Sequence, residues 1–431
     1  MDQNTKSNLL TFYRTLQIQI KQSNNDFKFF DDLTFKAKNL YNLALYHERQ
    51  LYINNNQIIT QFQLYKLLSK TQAHQDLPAQ SASELYQSVH NTMKSFIQAS
   101  KQYTKNPNKF LGKPKIPKYK HKTKGRYILT FNRQQLLFNT SNLNFNIILL
   151  PKKRTNNHEI KIPKHINIDS IQSLRIVPRN QRIILEIVYT KTIEQPINTN
   201  LKYLAAIDLG LDNFAAISIF GPNKTPILLN GKGLKSYNQN FNRHLRHLQS
   251  RAKKENNLHT TKRIQNLYIK RQNYINNWMH KASKFTVEYL LENQVAAVAI
   301  GHNKSQKQNM NLGHQNNQSF VQIPYQTFIN QLIYKAQEAG IQVYITEESY
   351  TSGTSFLDNE PPTKDFYSIQ RRIHRGLFRS NQNEFINSDT NAAYQILKKA
   401  FPNVQTYVED HGIAGCNTHP MKVTLDPKSK S

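Results

Sequence analysis

Cysteine is almost absent from this sequence of 431 residues. The single residue, Cys416, excludes an internal disulfide framework and any site built from paired cysteines. Long apolar runs are also missing, since no stretch reaches the roughly 18 to 20 apolar residues that a membrane-spanning helix needs. The start MDQNTKSN is polar and does not resemble a signal peptide. We therefore expect a soluble, intracellular protein without a membrane partner.

Acidic residues are scarce relative to basic ones. Asp and Glu total 27 against 58 Lys and Arg, which gives a formal net charge of +31 at pH 7. Such an excess repels itself unless an anionic partner lies against it, and nucleic acid is the leading candidate for that partner. The chain is also long enough for about three domains, so a single domain is not expected.

The apolar pattern changes along the chain and predicts its organisation. Residues 9–20 alternate and predict a strand, whereas residues 32–104 show helical spacing. Residues 105–126 hold three prolines and closely spaced lysines, which argues against an ordered helix. Residues 127–200 return to short β segments, as in a small barrel or sandwich. After a linker at 194–200, strands alternate with helices, which predicts an α/β layer with ligands at the carboxyl ends of its strands.

Acidic residues stand at the ends of several predicted elements. Asp208 closes the apolar run LAAID and should project into the crevice beyond a central strand, although an acid that caps a turn is the alternative. Asp389 falls in the first turn of a predicted helix, where the helix dipole alone favours a carboxylate. Glu347 and Glu348 follow the strand IQVYIT, and because successive strand residues point to opposite faces, only one of them can face the same site if the strand continues that far.

Taken together, these acids suggest a site for hard metal ions. Two Mg²⁺ ions about 4 Å apart can clamp the attacking and leaving oxygens of a phosphodiester, and both ions require oxygen ligands. Carboxylates suit this chemistry, whereas imidazole and thiolate do not. The convergence of the acids in the folded chain is an expectation, because sequence spacing does not establish it.

Four ordered motifs resemble TnpB, the family of transposon-encoded RNA-guided nucleases related to type V CRISPR effectors. The motifs are IDLGLDNFA, KFLGKPKIPKYK, YTSGTSFLD and NSDTNAA, and the similarity runs from about residue 9 to beyond residue 400. The resemblance implies a multidomain α+β protein: an N-terminal wedge-type β-barrel with a helical recognition insert, then an α/β RuvC nuclease domain of RNase H-like fold. Asp208 then matches the first RuvC acid and Asp389 the third.

The resemblance also implies domain boundaries. The expected divisions are residues 1–30 and 111–200 for the wedge barrel, 31–110 for the helical insert, 201–350 for the first part of the RuvC domain with a basic helical hairpin at 241–292, 351–386 for an insert like a zinc ribbon, 387–402 for the third RuvC helix and 403–431 for a C-terminal tail.

Two departures from the family pattern affect the site. The usual second RuvC acid ends the strand that here reads VAAVAIGHN, and Gly301 takes its place. A subset of the family resembles this chain in having IGHN here and an acidic pair before YTS, so Glu347 or Glu348 is expected to substitute, with a slight preference for Glu348. Many relatives bind zinc through two CxxC pairs after YTS, but residues 351–386 contain no cysteine. We therefore expect no zinc there.

Three basic segments are expected to contact nucleic acid: residues 105–126, the hairpin at 241–292 and the arginines of the insert at 351–386. The stretch from Lys105 to Arg126 could track phosphates with its lysines and stack bases on its aromatics, although such runs are commonly solvated linkers. The hairpin at 241–292 has an apolar side for docking and a basic side for a heteroduplex, a pattern that ordinary surface helices share. The residues expected to bind nucleic acid are Lys113, Lys115, Lys118, Tyr119, Lys120, Lys122, Arg251, Lys253, Lys254, Arg263, Lys270, Arg271, Arg371, Arg372 and Arg375.

The implied function is that of an RNA-guided, Mg²⁺-dependent DNA endonuclease of a transposon, with a single RuvC active site. Asp208, Asp389 and one of Glu347 or Glu348 would be catalytic and would hold two divalent ions. The expected partners are a guide RNA from the transposon end and double-stranded target DNA with a short adjacent motif. The expected location is the cytoplasm, in association with the nucleoid. Two alternatives stay open: a catalytically inactive RNA-guided DNA-binding repressor, and a guide-independent DNA-binding accessory protein of transposition.

Overall fold

The protein is a mixed α/β chain that divides into two compact units. The computed structural model describes residues 9–150, 158–194, 201–302, 323–374, 376–401, 404 and 418–425. One unit comprises Leu10–Thr192, and the other comprises Ile193–Ser431 together with Met1–Leu9. Among the helices in the described ranges, none combines the length and the apolar character that crossing a bilayer requires.

The first unit contains two sheets and four α-helices among its described residues. Its elements are β1 (Leu9–Lys21), α1 (Phe27–Asn55), α2 (Gln61–Leu68), α3 (Gln72–Gln75), α4 (Ala79–Lys105), β2 (Leu129–Asn132), β3 (Leu137–Asn139), β4 (Phe145–Leu149), β5 (Glu159–Pro163), β6 (Ile171–Arg179) and β7 (Arg182–Glu194). One sheet has the strand order β1-β7-β6-β2 and the other the order β3-β4-β5. The strand predicted at 9–20 is thus present as β1, and the wedge barrel stays a prediction.

Helix α4 shows how the helical pattern becomes a core. Leu85, Val89 and Met93 recur every four residues, so they form one stripe, and all three are buried. The stripe belongs to a core cluster that also includes Leu40 and Ala44 of α1. Burial of each large apolar side chain contributes about 1.5–3 kcal/mol, so this packing rather than helix propensity holds α1 against α4.

The second unit is built around a larger sheet. Its elements are β8 (Tyr203–Leu209), β9 (Asn213–Phe220), β10 (Ile227–Asn230), α5 (Lys232–Asn256), α6 (Lys262–Glu292), β11 (Val295–Gly301), α7 (Tyr325–Glu338), β12 (Gln342–Thr346), β13 (Arg372–His374), β14 (Leu377–Arg379), β15 (Phe385–Asn387), α8 (Ser388–Ala400) and β16 (Met421–Val423). The sheet has the strand order β12-β11-β8-β9-β10-β16, and β13, β14 and β15 form a separate small sheet.

Strand direction decides which ends of the large sheet meet. Strands β8, β9 and β10 form an antiparallel meander, whereas β11 runs parallel to β8 and β12 runs parallel to β11. The carboxyl ends of β8, β11 and β12 therefore lie side by side at one edge of the sheet. In an open sheet with parallel strands, this edge is where ligand sites are usually found.

Alternation along β8 determines which face its acid occupies. Ala205 and Ile207 belong to the core cluster that includes residues of α6 and α7, whereas Ala206 packs in a different cluster with Ile396 of α8. Because side chains alternate along a strand, Asp208 shares the face of Ala206. The acid at the end of β8 is therefore directed to the side of the sheet that α8 covers.

Candidate active site

Asp208 carries the most perturbed carboxyl group of the site. Burial raises its pKa well above the ordinary range, and the charges of Asp389 and Glu348 raise it further. The guanidinium of Arg372 and the backbone N–H of Leu209, which hydrogen-bonds to the carboxylate, oppose this shift. The carboxylates of α8 and of the segment after β12 thus act on the carboxylate of β8 at the same edge of the sheet.

Asp389 is held in place by groups from two other segments. Asn387 caps α8, because its side-chain oxygen accepts from the backbone N–H groups of Asp389 and Thr390 at 3.0 and 3.2 Å. The carboxylate of Asp389 is consequently available for other partners. Asn213 donates to its Oδ2 at 2.7 Å, and the guanidinium of Arg372 lies 3.6 Å from its Oδ1.

The two adjacent acids after β12 lie in opposite environments. Glu347 is exposed, its carboxylate accepts from the Ser349 hydroxyl, and it lies 3.6 Å from the Lys399 ammonium. The hydrogen bond from Ser349 and the charge of Lys399 lower the pKa of Glu347. Glu348 is partly buried, and burial together with the charge of Glu347 raises its pKa to about 7. Glu348 therefore belongs to the carboxylate group around Asp208, whereas Glu347 faces solvent.

Gly301 explains how Glu348 reaches the site. A Cβ atom built on Gly301 would collide with the side chain of Ile396 on α8 and would lie 3.3 Å from Oε2 of Glu348. Gly301 pairs with Thr346 in the parallel register of β11 and β12, so the chain that carries Glu348 leaves the sheet next to the glycine. The Glu348 carboxylate thus occupies the space over Gly301 into which an acid at position 301 would point.

Tyr325 is a residue of the site that the sequence did not single out. It begins α7 and is buried, and its hydroxyl donates to the carbonyl of Gly210 at 2.7 Å, just beyond Asp208. Burial and the charges of Asp208 and Glu348 raise the pKa of its phenol. In the sequence this tyrosine cannot be distinguished from an ordinary core aromatic at the start of a helix, and indeed its ring stacks on Phe214.

The donor chemistry of these carboxylates fits a divalent hard cation. In the ranges that the structure describes, no three or more His, Cys, Asp or Glu side chains are grouped so that they could hold one metal ion. However, Asp208, Glu348 and Asp389 are all oxygen ligands, and the charges of the latter two oppose ionisation of the first. Mg²⁺ is usually bound by one or two carboxylates, with water and phosphate oxygens completing its shell. The residues therefore fit Mg²⁺ by type and by charge.

The lysine-rich segment of the first unit is extended and anchored to α1. Residues 113–121 have no regular secondary structure. Asn42 accepts from the backbone N–H of Lys120 at 2.8 Å and donates to its carbonyl at 2.9 Å. Lys38 donates to the carbonyl of Lys122 at 2.6 Å, and Arg49 donates to that of Pro117 at 3.1 Å.

This anchoring fixes the backbone of the segment and leaves its charged side chains outside. Ile116 packs against the core of the unit. The guanidinium of Arg49 lies over the ring of Tyr119, 4.6 Å from the ring centroid. The predicted nucleic-acid contacts that are exposed in this segment are Lys113, Lys115, Lys118, Tyr119, Lys120 and Lys122.

The second unit presents part of its predicted basic surface and uses the rest internally. Arg271 is half-buried between α5 and α6, where it donates to Asn238 at 2.8 Å and stacks over Phe241, and Arg371 pairs with Glu360 at 2.5 Å. Arg375 lies outside the described residues. The exposed members of the set are Arg251, Lys253, Lys254, Arg263, Lys270 and Arg372.

Carboxylates at the strand ends of a mixed sheet, in a strongly basic chain, are features expected of a protein that acts on nucleic acid. Residues 186–307 match the family model OrfB_IS605, described as a probable transposase, and residues 325–396 match the Cas12f1-like TNB domain. These matches confirm the resemblance that the motifs indicated. Over these two segments the chain is similar to TnpB-like relatives of the type V effectors.

The chain is also similar to proteins in solved complexes. It shares 15% identity with the protein of the Cas12f1–sgRNA–target DNA complex, over 90% of this chain and 100% of that one, with a TM-score of 0.36. For CasPhi-2 (Cas12j) bound to crRNA and phosphorothioate DNA, the identity is 10%, the coverage 95% and 93%, and the TM-score 0.44. No curated protein matches the sequence.

Proposed function

We propose that the protein is an RNA-guided, Mg²⁺-dependent DNA endonuclease whose single active site is formed by Asp208, Glu348 and Asp389. The observation that carries this proposal is the placement of the three carboxylates near the end of β8: Oε2 of Glu348 lies over Gly301 of the neighbouring strand, and the charges of Glu348 and Asp389 raise the pKa of the partly buried Asp208. Such an arrangement opposes folding when no cation is present, and perturbed acids of this kind cluster at functional sites. The match to the probable-transposase family supports the reaction class.

The topology of the second unit supports a RuvC domain of RNase H-like fold. Its antiparallel meander of β8, β9 and β10 is extended on the β8 side by the parallel strands β11 and β12. The first acid lies at the end of the central strand β8, and the last lies on the helix α8 that covers it. We retain the domain boundaries given above, with the wedge barrel and the helical insert assigned to the first unit.

Each side chain of the site has a distinct role in this proposal. Bound Mg²⁺ would stabilise the charge that develops on the phosphodiester and lower the pKa of the attacking water. Asp208, Glu348 and Asp389 would hold the ions. Asn213 fixes the orientation of the Asp389 carboxylate through its hydrogen bond. Arg372 is exposed beside Asp389. Its guanidinium would bind a phosphate oxygen of the DNA strand to be cut, because guanidinium groups pair well with phosphate.

The charge of the chain supports nucleic acid as the partner. The exposed lysines on the anchored segment at 113–122 form a track of positive charge on a fixed backbone, which suits successive phosphates. We propose that a guide RNA from the transposon end and target DNA with a short adjacent motif bind to the basic surfaces. Sequence specificity would then come from guide pairing. The proposed location is the cytoplasm, in association with the nucleoid.

A matched pair of acid variants tests the proposed site. Purified protein with its guide RNA is mixed with target DNA and Mg²⁺, and the cleavage rate is compared with RNA-dependent target binding. Glu348→Gln should lower cleavage by at least about 100-fold, as expected for loss of a metal ligand, while target binding is retained. Glu347→Gln should cut normally, since Glu347 faces solvent. Full activity of Glu348→Gln, or equal loss in both variants, would contradict the assignment.

Gly301 favours a second candidate function, an RNA-guided DNA-binding repressor that does not cut. Both candidates predict RNA-dependent binding of the target, so the cleavage assay with the wild-type protein separates them. Target binding without any Mg²⁺-dependent cutting would establish the repressor. Sequencing of copurified nucleic acid separates both candidates from a guide-independent accessory protein, because only a guided protein should retain a discrete RNA.

A further inference from the structure

Glu360 is a buried carboxylate that the proposed chemistry does not use. It lies in the cysteine-free insert, residues 351–386, and is only 6% exposed. An ionised carboxylate is costly to bury unless hydrogen-bond donors surround it. The surroundings of Glu360 therefore indicate what the group does.

Three separate segments of the insert donate to this one carboxylate. The backbone N–H of Ser355 donates to Oε2 at 2.8 Å, and the guanidinium of Arg371 donates to the same oxygen at 2.5 Å. The side-chain amide of Asn381 donates to Oε1 at 3.1 Å. The carboxylate thus joins the loop after Thr354, the turn that precedes β13 and the turn between β14 and β15.

The backbone around Glu360 is tied to the helix that carries Asp389. Gln395 and Lys398 of α8 donate to the carbonyl of Glu360 at 3.2 and 3.1 Å. Asn391, on the same helix, accepts from the backbone N–H of Phe356 at 2.9 Å. The insert is consequently connected to α8 by polar side chains that are themselves buried.

Arg371, the strongest donor to Glu360, precedes Arg372 in the chain. Fixing Arg371 restricts the backbone from which the Arg372 side chain extends. The guanidinium of Arg372 lies 3.6 Å from Asp389 and lowers the pKa of Asp208. A buried carboxylate outside the site is therefore connected, through two consecutive arginines, to the acids inside it.

We infer that Glu360 organises the insert as an anion-centred cluster of N–H donors and positions Arg372 against the carboxylates of the site. The cluster gathers several chain segments around one charge, as a structural metal ion does in a cysteine-rich segment, but with the signs reversed. The organising role stands on the hydrogen bonds alone. The effect on cutting rests on the proposed nuclease function.

The experiment compares Glu360→Gln, Asn381→Ala and the control Glu384→Gln as full-length complexes with guide RNA. Glu384 is an exposed acid of the same insert. Hydrogen exchange of residues 354–381 is measured with a chelator present, together with the cleavage rate in Mg²⁺. The wild-type protein should keep its protection in the chelator. Glu360→Gln should exchange about tenfold faster, Asn381→Ala should show a smaller increase, and Glu384→Gln should match the wild type.

A double-mutant cycle with Arg372→Ala tests the positioning role. Glu360→Gln should lower cleavage by about five- to tenfold in the wild-type background, as loss of a charged hydrogen-bond partner does, and by less than about twofold when Arg372 is already alanine. Equal losses in both backgrounds would overturn the positioning role, and unchanged exchange in Glu360→Gln would overturn the organising role. If the wild-type complex does not cut, the nuclease function and the positioning role fail together, while the exchange measurement still decides the organising role.

Discussion

Replacement of Glu348 by Gln should stabilise the metal-free protein, although the same change should abolish cutting. The reason is that burial and the neighbouring Glu347 charge raise the pKa of Glu348 from 4.5 to about 7. For an acid, a higher pKa in the folded state means that ionisation opposes folding. Stability is therefore lost as the pH rises from the unfolded pKa through the folded one.

The size of the effect follows from the pKa difference. A tenfold change in proton affinity corresponds to about 1.4 kcal/mol, so a rise from 4.5 to about 7 corresponds to about 3 kcal/mol once the group is ionised in both states. This cost is fully present at about pH 8, and it falls below about 1 kcal/mol near pH 5, where the folded protein keeps the proton. Glutamine has the same shape but cannot ionise, so Glu348→Gln avoids the cost.

The single tryptophan provides the measurement. Trp278 on α6 is buried beside Phe214 in the unit that holds the site, with ring centroids 4.6 Å apart, so its fluorescence reports unfolding of that unit. Urea unfolding of the wild-type protein and of Glu348→Gln, both with a chelator, is compared at about pH 8 and about pH 5. The exposed neighbour supplies the control, since Glu347→Gln should bring no stabilisation.

Two results would refute this reasoning. One is a Glu348→Gln protein that is no more stable than the wild type at about pH 8. The other is an equal gain for Glu348→Gln at both pH values, which would indicate better packing instead of a removed charge. Added Mg²⁺ should stabilise the wild-type protein more than the variant, because a cation that binds only the folded state adds to its stability.

Three further predictions concern other parts of the molecule. Replacement of both Lys118 and Lys120 by alanine should weaken the salt dependence of guide-RNA binding. The slope of log binding constant against log salt concentration should become shallower by about 1.5, which filter binding at several salt concentrations measures. An unchanged slope would exclude phosphate contact. Tyr325→Phe should cost about 1 kcal/mol in urea unfolding, because the Gly210 carbonyl loses its donor, and equal stability would argue against that hydrogen bond. The cleavage rate should fall as the pH drops below about 7, because Glu348 then gains a proton. More Mg²⁺ should shift this pH dependence of the rate to lower pH, since the cation competes with the proton. A constant rate between about pH 6 and pH 8 would contradict the prediction.

Local pattern accounts for much of the fold and for part of the site. The four-residue spacing of Leu85, Val89 and Met93 in α4 is a property of one helix, so it predicts the buried stripe without knowledge of the partner elements. Asp208 stands out because it closes an apolar run, whereas Asp389 falls in the first turn of a predicted helix. The resemblance to TnpB added the assignment of Asp208 and Asp389 as the first and third RuvC acids, which stays a prediction.

The choice between Glu347 and Glu348 shows where local pattern ends. Alternation along a strand predicts that the side chains of Glu347 and Glu348 point to opposite faces, but it does not predict which face carries the site. That depends on the register between β11 and β12, which sets Thr346 beside Gly301 and brings Glu348 over the glycine. Pairing between residues distant in sequence is a tertiary interaction, and no property of the segment EES alone encodes it.

The same distinction applies to the charged residues of the second unit. The sequence by itself determined that this region is strongly basic and that an acid ends the strand β8. Only the tertiary structure decided that Arg271 and Arg371 are engaged internally, that Arg372 faces Asp389, and that Glu360 is buried among donors from three segments. A charge is a property of one side chain, whereas its burial and its partners depend on which distant segments the fold brings against it.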